Sequence, residues 1–226
     1  WKKLGKKIVC CYYGSDLRIR GLIKELDEIS DLNITSEYDH LALKKDLKYL
    51  FYPYDVSELP AKKERTVEAI KIVHSPTNRK YKGTELIISV IDKIKKERNI
   101  EFLLMENVDR KKLLEIKSGC DISIDQVGGT MGGTGYGKAG LETIAMGIPT
   151  ITNMTKDYAD WLLENPFIVA NNFEELYKSL IELIDNESYR IENGKKGIEW
   201  VKKYHSFESV NDNLMKLYRE KGIISR

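Results

Sequence analysis

Residues 121–152 read DISIDQVGGTMGGTGYGKAGLETIAMGIPTIT. Asp121 to Gln126 is an isoleucine-rich stretch that stops at a run of glycines. Ala139 to Met146 then carries apolar residues at helical spacing, and Pro149 to Thr152 is short and apolar again. Strand, glycine loop, helix and strand in so short a span form a βαβ unit with parallel pairing. The same alternation extends in both directions. Upstream lie a strand in AIKIVHSP (69–76), a polar loop from Thr77 to Gly83, a helix from Thr84 to Arg98, a strand from Glu101 to Met105 and a helix from Asp109 to Gly119. Downstream come a helix from Lys156 to Leu163 and closing helices Leu176 to Ile184, Tyr189 to Tyr204 and Val210 to Lys221. The expected fold class is therefore α/β, with a doubly wound parallel sheet over residues 67–208.

The first 66 residues are less regular. Lys7 to Tyr13 (KIVCCYY) reads as a strand that stops at Gly14-Ser15-Asp16, and Arg20 to Ile29 as a helix. Asp39 to Leu43 is expected as a strand, Lys44 to Lys48 as a short helix, and Tyr49 to Tyr54 as an aromatic strand. Pro60 with the charged stretch AKKERT (61–66) reads as a linker. Residues 1–66 are thus expected to be the end of a preceding α/β domain, and 209–226 a closing helix that packs back toward it.

Composition narrows the function classes. In 226 residues, 37 Lys plus Arg face 35 Asp plus Glu, a formal charge of +2, which argues against a dedicated nucleic-acid binder. Hydrophobic residues make up 42%, too many for a disordered chain, and no apolar run approaches a membrane span. Cys10, Cys11 and Cys120 give neither a disulfide framework nor metal-ligand spacing, so no metal is expected and a reducing cytoplasm is the expected compartment. WKKLGKK (1–7) leads straight into a strand rather than into the long apolar core of a signal peptide, and the missing initiator Met suggests residues upstream.

In an open parallel sheet, ligands bind beyond the carboxyl ends of the strands. Two such loops are chemically unusual. HSPTNRKYKGT (74–84) sets Arg79 and Lys82 just before a helix N-terminus, an arrangement that could hold a diphosphate or could simply be a solvated basic loop. The glycine loop 128–140 suggests backbone amides turned toward a phosphate or sugar, with a plain turn as the alternative. Gly132 to Lys138 fits G-x-x-x-x-G-K, but Ala139 replaces the magnesium-binding hydroxyl. Gly135-x-Gly137-x-x-Gly140 fits a dinucleotide fingerprint, with Asp157 at the ribose-binding distance, although it comes late for a first βα turn. An NAD or FAD module is therefore the competing reading. Gly14, Asp16 and His74 are further candidates for the cleft, with local capping (Asp16) and a structural role (His74) as their plain alternatives. His40 and His205 belong to no constellation.

The order of these pieces resembles the retaining glycosyltransferases of the GT-B fold, family 4 or group 1. SPTNRKYKGTELIISVIDKI (75–94) resembles their donor-phosphate loop and following helix. GYGKAGLETIAMGIPTI (135–151) resembles their GFG-x-x-x-LE-AMA-x-G-PVI segment, and residues 171–210 resemble their C-terminal helices. YYGSDLR (12–18) and LKYLFYPYDVSEL (47–59) resemble the end of the acceptor domain. The resemblance implies a nucleotide-diphosphate-sugar donor, no further cofactor, and an acceptor that is a glycan, a lipid or a small molecule. It implies a hexosyl-transferring enzyme, cytoplasmic or peripheral at a membrane. Glu142 matches the second glutamate of the family's E-x7-E motif, which binds the nucleotide ribose, and Lys82 matches the lysine on the donor diphosphate, with Arg79 as the second cation. Thr134, Gly135, Tyr136, Gly137 and Lys138 fall in the donor loop. Thr134 occupies the place of the first glutamate, which contacts the transferred sugar, and Tyr13 that of a frequent histidine. The early βα units of the acceptor domain have no counterpart, so the chain reads as a fragment dominated by the donor domain, and a catalytically inactive relative is the third reading.

Overall fold

A computed structural model of the protein describes residues 1–14, 16–64, 67–128 and 134–225. They divide into two compact units, residues 1–54 with the C-terminal stretch from Lys203, and Asp55–Lys202. The division falls at 54/55 and 202/203, where the sequence suggests 66/67 and 208/209.

The first unit has a parallel sheet of order β1-β2-β3, with β1 Val9–Tyr12, β2 Leu32–Thr35 and β3 Lys48–Tyr49. Its helices are α1 (Lys24–Ile29) and α2 (His40–Leu43). Several local expectations are corrected here. The segment expected as a strand at 39–43 is a helical turn from His40, and the strand lies at 32–35 instead. All four residues of β2 are buried, including the polar Asn33 and Thr35, so no apolar run marks it. The helix expected from Arg20 begins at Lys24, because Gly21 adopts φ 77 after a π-helical turn at Asp16–Arg20. In place of the helix expected at 44–48, residues 44–47 form a turn held by the Lys44 ammonium, which pairs with Asp27 at 2.8 Å and with Asp46, and Lys48 already begins β3. The aromatic stretch after Lys48 pairs only as far as Tyr49.

The second unit follows the alternation read from the sequence. Its elements are β4 (Ile70–His74), α3 (Arg79–Lys82), α4 (Thr84–Ile94), β5 (Ile100–Leu104), α5 (Arg110–Lys117), β6 (Ile122–Gln126), α6 (Lys138–Ala145), β7 (Thr150–Thr152), α7 (Lys156–Trp161), β8 (Ile168–Val169), α8 (Phe173–Asp185) and α9 (Glu187–His205). The strands are all parallel, in the order β5-β4-β6-β7-β8. Isoleucines supply the middle of this sheet, because β-branched side chains suit a strand buried on both faces. Ile72, Ile122, Ile124 and Ile151 pack with Ile87 and Ile91 of α4 and with Leu176, Leu180 and Leu183 of α8. Close approach fixes α9 against the end of α6, since a Cβ on Gly194 would lie 2.2 Å from the Gly147 carbonyl oxygen. The last helix, α10 (Phe207–Glu220), belongs to the first unit. There the Tyr54 N–H donates to the His205 carbonyl at 2.8 Å, and the His205 ring meets the Tyr52 carbonyl at 2.6 Å. Among the described residues no helix is long and apolar enough to cross a membrane.

Candidate functional site

From β4 the chain moves outward to β5 and then returns past β4 to β6, from which it continues the other way to β7. The connections leaving β4 and β6 therefore diverge, and a crevice opens beyond their carboxyl ends. The loops flanking that crevice are 75–83 and 127–137, the two that the sequence singles out.

Asp125 ties them together. It sits near the end of β6 with its side chain wholly buried, and its Oδ1 receives the Lys82 ammonium at 2.7 Å. Its Oδ2 accepts the Gly137 N–H at 2.6 Å, at the start of α6. Burial alone would raise the Asp125 pKa, but the Lys82 charge and the Gly137 N–H outweigh it and hold the group below the usual carboxylate range. The Lys82 backbone is pinned as well, because the Val127 N–H donates to its carbonyl at 3.2 Å. Gly137 and Gly140 leave the room this carboxylate needs. A Cβ on Gly140 would lie 3.0 Å from Asp125 Oδ2, and one on Gly137 3.0 Å from Lys82 Nζ.

Arg79, at the start of α3, is 44% exposed and engaged by two carboxylates. Its guanidinium bonds Glu106 at 2.9 and 2.6 Å and Glu85 at 2.9 Å. The two cations expected to act together thus have separate acidic partners. His74 is fully buried rather than open to a cleft. One ring nitrogen meets the Ile124 carbonyl at 2.8 Å and the other the Thr84 hydroxyl at 2.9 Å, and burial pushes its pKa down to about 4.

On the glycine loop, Gly135 has φ 104 and is packed so closely that a Cβ would lie 2.1 Å from the Tyr158 ring. Tyr136 stacks on Phe167 with centroids 4.6 Å apart and meets Trp200 edge-on at 5.5 Å, so it anchors the loop in an aromatic cluster. The Thr134 hydroxyl accepts the Thr155 N–H at 2.7 Å, just before α7. Lys138 is exposed as the first residue of α6. Residues 129–133, including the Gly132 that opens the G-x-x-x-x-G-K pattern, lie outside the described residues.

Glu142 is buried on α6. Its carboxylate meets Lys117 Nζ at 3.0 Å and Arg110 Nε at 3.5 Å, and Lys117 itself is only 1% exposed. In the first unit, the Gly14 carbonyl accepts from Arg18 Nη1 at 2.7 Å and from His40 Nε2 at 3.0 Å, while Asp16 accepts the Tyr13 N–H at 3.2 Å within its own turn. Ser15 lies outside the described residues. His40, for which the sequence suggests no partners, is part of this group, together with Thr35 at 2.9 Å. Sequence reading misses Asp125, Lys117 and Arg110. Asp125 carried one signal, an acid between isoleucine and the glycine loop at a strand's carboxyl end, whereas Lys117 and Arg110 carried none. Among the described residues no group of three or more His, Cys, Asp or Glu is placed to hold a metal.

No family model and no curated protein matches the chain significantly. Solved structures do match. Sucrose-phosphate synthase from Thermosynechococcus elongatus superposes with a TM-score of 0.66 over 96% of this chain and 68% of that one, at 12% identity. HepE from Anabaena, in complex with UDP, gives 0.65 over 93% and 72%, at 11% identity. TarM gives 0.66 over 85% of this chain and 44% of that one, at 15% identity. The chain has the GT-B glycosyltransferase fold. In it, the Asp55–Lys202 unit is the Rossmann-like parallel-sheet domain and the three-stranded sheet is a smaller α/β part. Identities this low carry the fold and nothing finer. HepE is also known in complex with UDP and glucose and with UDP-glucose.

Proposed function

We propose that this chain binds a nucleotide-diphosphate sugar and belongs to a retaining glycosyltransferase of the family 4 type that transfers a hexose to a glycan, lipid or small-molecule acceptor. The observation that carries the reading is the Lys82 ammonium, held at the β4/β6 crevice beside the start of α6. Negative charge grows on the leaving diphosphate as the glycosidic bond breaks, so a cation fixed there stabilises the transition state more than the ground state. Glu142 is the candidate for the ribose hydroxyls, because a carboxylate has about four lone-pair sites and Lys117 and Arg110 engage only part of them. Thr134 brings no carboxylate to the transferred sugar and already accepts from Thr155. Sugar selection in this reading rests on other groups. Arg79 is the weaker cation, since two carboxylates offset its charge. The reading needs no metal.

Two observations weigh against a dinucleotide module. Gly137 and Gly140 face Lys82 and Asp125, and Gly135 faces Tyr158, so close packing within the protein already accounts for the fingerprint glycines. Asp157 is exposed in the first turn of α7 rather than at a strand end. Calorimetric titration of the chain with UDP, GDP, their sugars, NAD and FAD tests the reading. Binding of a nucleoside diphosphate without NAD or FAD binding is expected. If NAD or FAD binds instead, the dinucleotide module is right, and if nothing binds, the inactive relative is.

A further inference from the structure

We propose that Asp125 is a positioning residue of the donor site, holding the Lys82 ammonium and the first turn of α6 in fixed register for the diphosphate. The assignment rests on the donor reading above. A buried carboxylate is costly, and in the middle of an isoleucine-rich sheet an apolar residue would serve stability as well or better. Asp125 is nevertheless wholly buried, and its two oxygens go to two different segments, Lys82 after β4 and Gly137 at the start of α6. Two glycines keep the space around it open.

Lysine is a point charge on a flexible four-carbon stem, so an unanchored Lys82 would lose rotamer freedom each time it closed on an anion. With its backbone carbonyl bonded by Val127 and its ammonium bonded by Asp125, Lys82 has met that cost before any ligand arrives. Its side chain is still 14% exposed, and an ammonium has three N–H donors, of which Asp125 needs one. The remaining donors are those available to the diphosphate.

The proposal makes a counter-intuitive prediction about sign. Coulomb's law alone says that removing an acid beside a phosphate site should tighten binding of an anion. Positioning says the reverse, so Asp125→Asn should bind UDP about tenfold more weakly than the unaltered chain. The test is calorimetric titration of the full chain and its variants with UDP, with thermal melting of each variant to confirm folding. Lys82→Met should weaken binding further, and the loss in the double variant should fall well short of the sum of the two single losses, because much of the effect of Asp125 runs through that lysine. Tighter or unchanged binding by Asp125→Asn, or additive losses in the double variant, would overturn the assignment while leaving the donor reading in place. Failure of the unaltered chain to bind UDP or any other nucleoside diphosphate would overturn both. Should Asp125→Asn fail to fold, Gly137→Ala gives the same reading with all charges kept. Its added Cβ would lie 3.0 Å from Lys82 Nζ and displace the ammonium, and a loss of UDP affinity by severalfold is expected. Unchanged affinity in that variant would count against the proposal.

Discussion

In the Asp55–Lys202 unit, a five-stranded parallel sheet packs with α4 and α8 in a large apolar core. The sheet of residues 1–54 has a much smaller core, Tyr12, Leu17 and Leu47 with Cys10 and Leu41 packed on it. What that core lacks is made up by polar contacts. Arg18 bonds Asp39, Glu37 at 2.5 Å and the Gly14 carbonyl, and His40 bridges Gly14 to Thr35. The first kind of stability scales with apolar area and tolerates salt, whereas the second depends on charge and geometry and is screened by both water and salt. The two units should therefore differ in their response to salt.

The largest effect expected from that contrast is in the apolar core. Ile72 is fully buried in β4, opposite Phe102 on one side and Ile122 on the other. Ile72→Ala should destabilise the Asp55–Lys202 unit by about 3 kcal/mol, measured by denaturant unfolding, since neighbours in a rigid sheet cannot collapse fully into the void. A cost below about 1 kcal/mol would mean this core is looser than its packing implies.

Acid should act on both units, because each contains a histidine that burial keeps neutral. His74 in the larger unit and His205 in the smaller are each driven down to about 4, in both cases mainly by burial. Unfolding restores a pKa of about 6.5, so between those values the unfolded chain binds more protons than the folded one. The stability these histidines contribute is complete above about pH 6.5 and is lost as pH falls toward 4, by up to about 1.4 kcal/mol per pH unit for each group. Melting curves from pH 7 to 4.5 should show the decline. His74→Gln and His205→Gln should each flatten it, and an unchanged slope in both would refute the assignment.

The same contrast explains what could be read from the chain alone. Strands β4 and β5 announce themselves as mostly apolar runs between polar loops, and β6 and β7, which hold as large a polar share as β2, are legible because the glycine loop, the following helix and Pro149 frame them. In β2 the buried residues are Leu32, Asn33, Ile34 and Thr35, and half of them are polar. Its burial is a property of tertiary partners that no local pattern encodes. In the site, Lys82 ends the basic segment before α4 and Glu142 follows the glycine loop on α6, and the composition of those segments draws attention to them, but their counter-ions are hidden. Lys117 is one of three lysines in RKKLLEIK (110–117), and only packing distinguishes it from Lys111 and Lys112, which are exposed. The glycines of 135–140 suggest a ligand, yet a buried carboxylate and a tyrosine ring account for them equally well. A glycine records that something comes close and does not say what.

A smaller effect is expected from the polar hub of the first unit. Arg18 is one-quarter exposed, and its carboxylate partners are exposed by about a third, so solvent weakens each pair. Arg18→Met should cost about 1 to 2 kcal/mol, and the cost should shrink in high salt. A loss as large as that of Ile72→Ala would show that the hub, not the small apolar cluster, dominates this unit.

The smallest effect should come from Arg79, and it sharpens the contrast inside the site itself. Lys82 has a single, buried counter-ion and free donors near the crevice, while Arg79 is engaged on the surface by Glu106 and Glu85 together. For Arg79 to reach a diphosphate it would have to leave both carboxylates, and their combined charge already exceeds its own. Glu106 is correspondingly held below the ordinary carboxylate range, chiefly by its hydrogen bond from Arg79. Arg79→Ala should therefore leave fold stability nearly unchanged, as is usual for exposed ion pairs. In the calorimetric titration it should weaken UDP binding by less than about threefold, whereas Lys82→Met should lose tenfold or more, the usual scale of a hydrogen bond to a charged group. Equal losses from the two variants would put both cations on the diphosphate and show that Arg79 exchanges its carboxylates for the ligand.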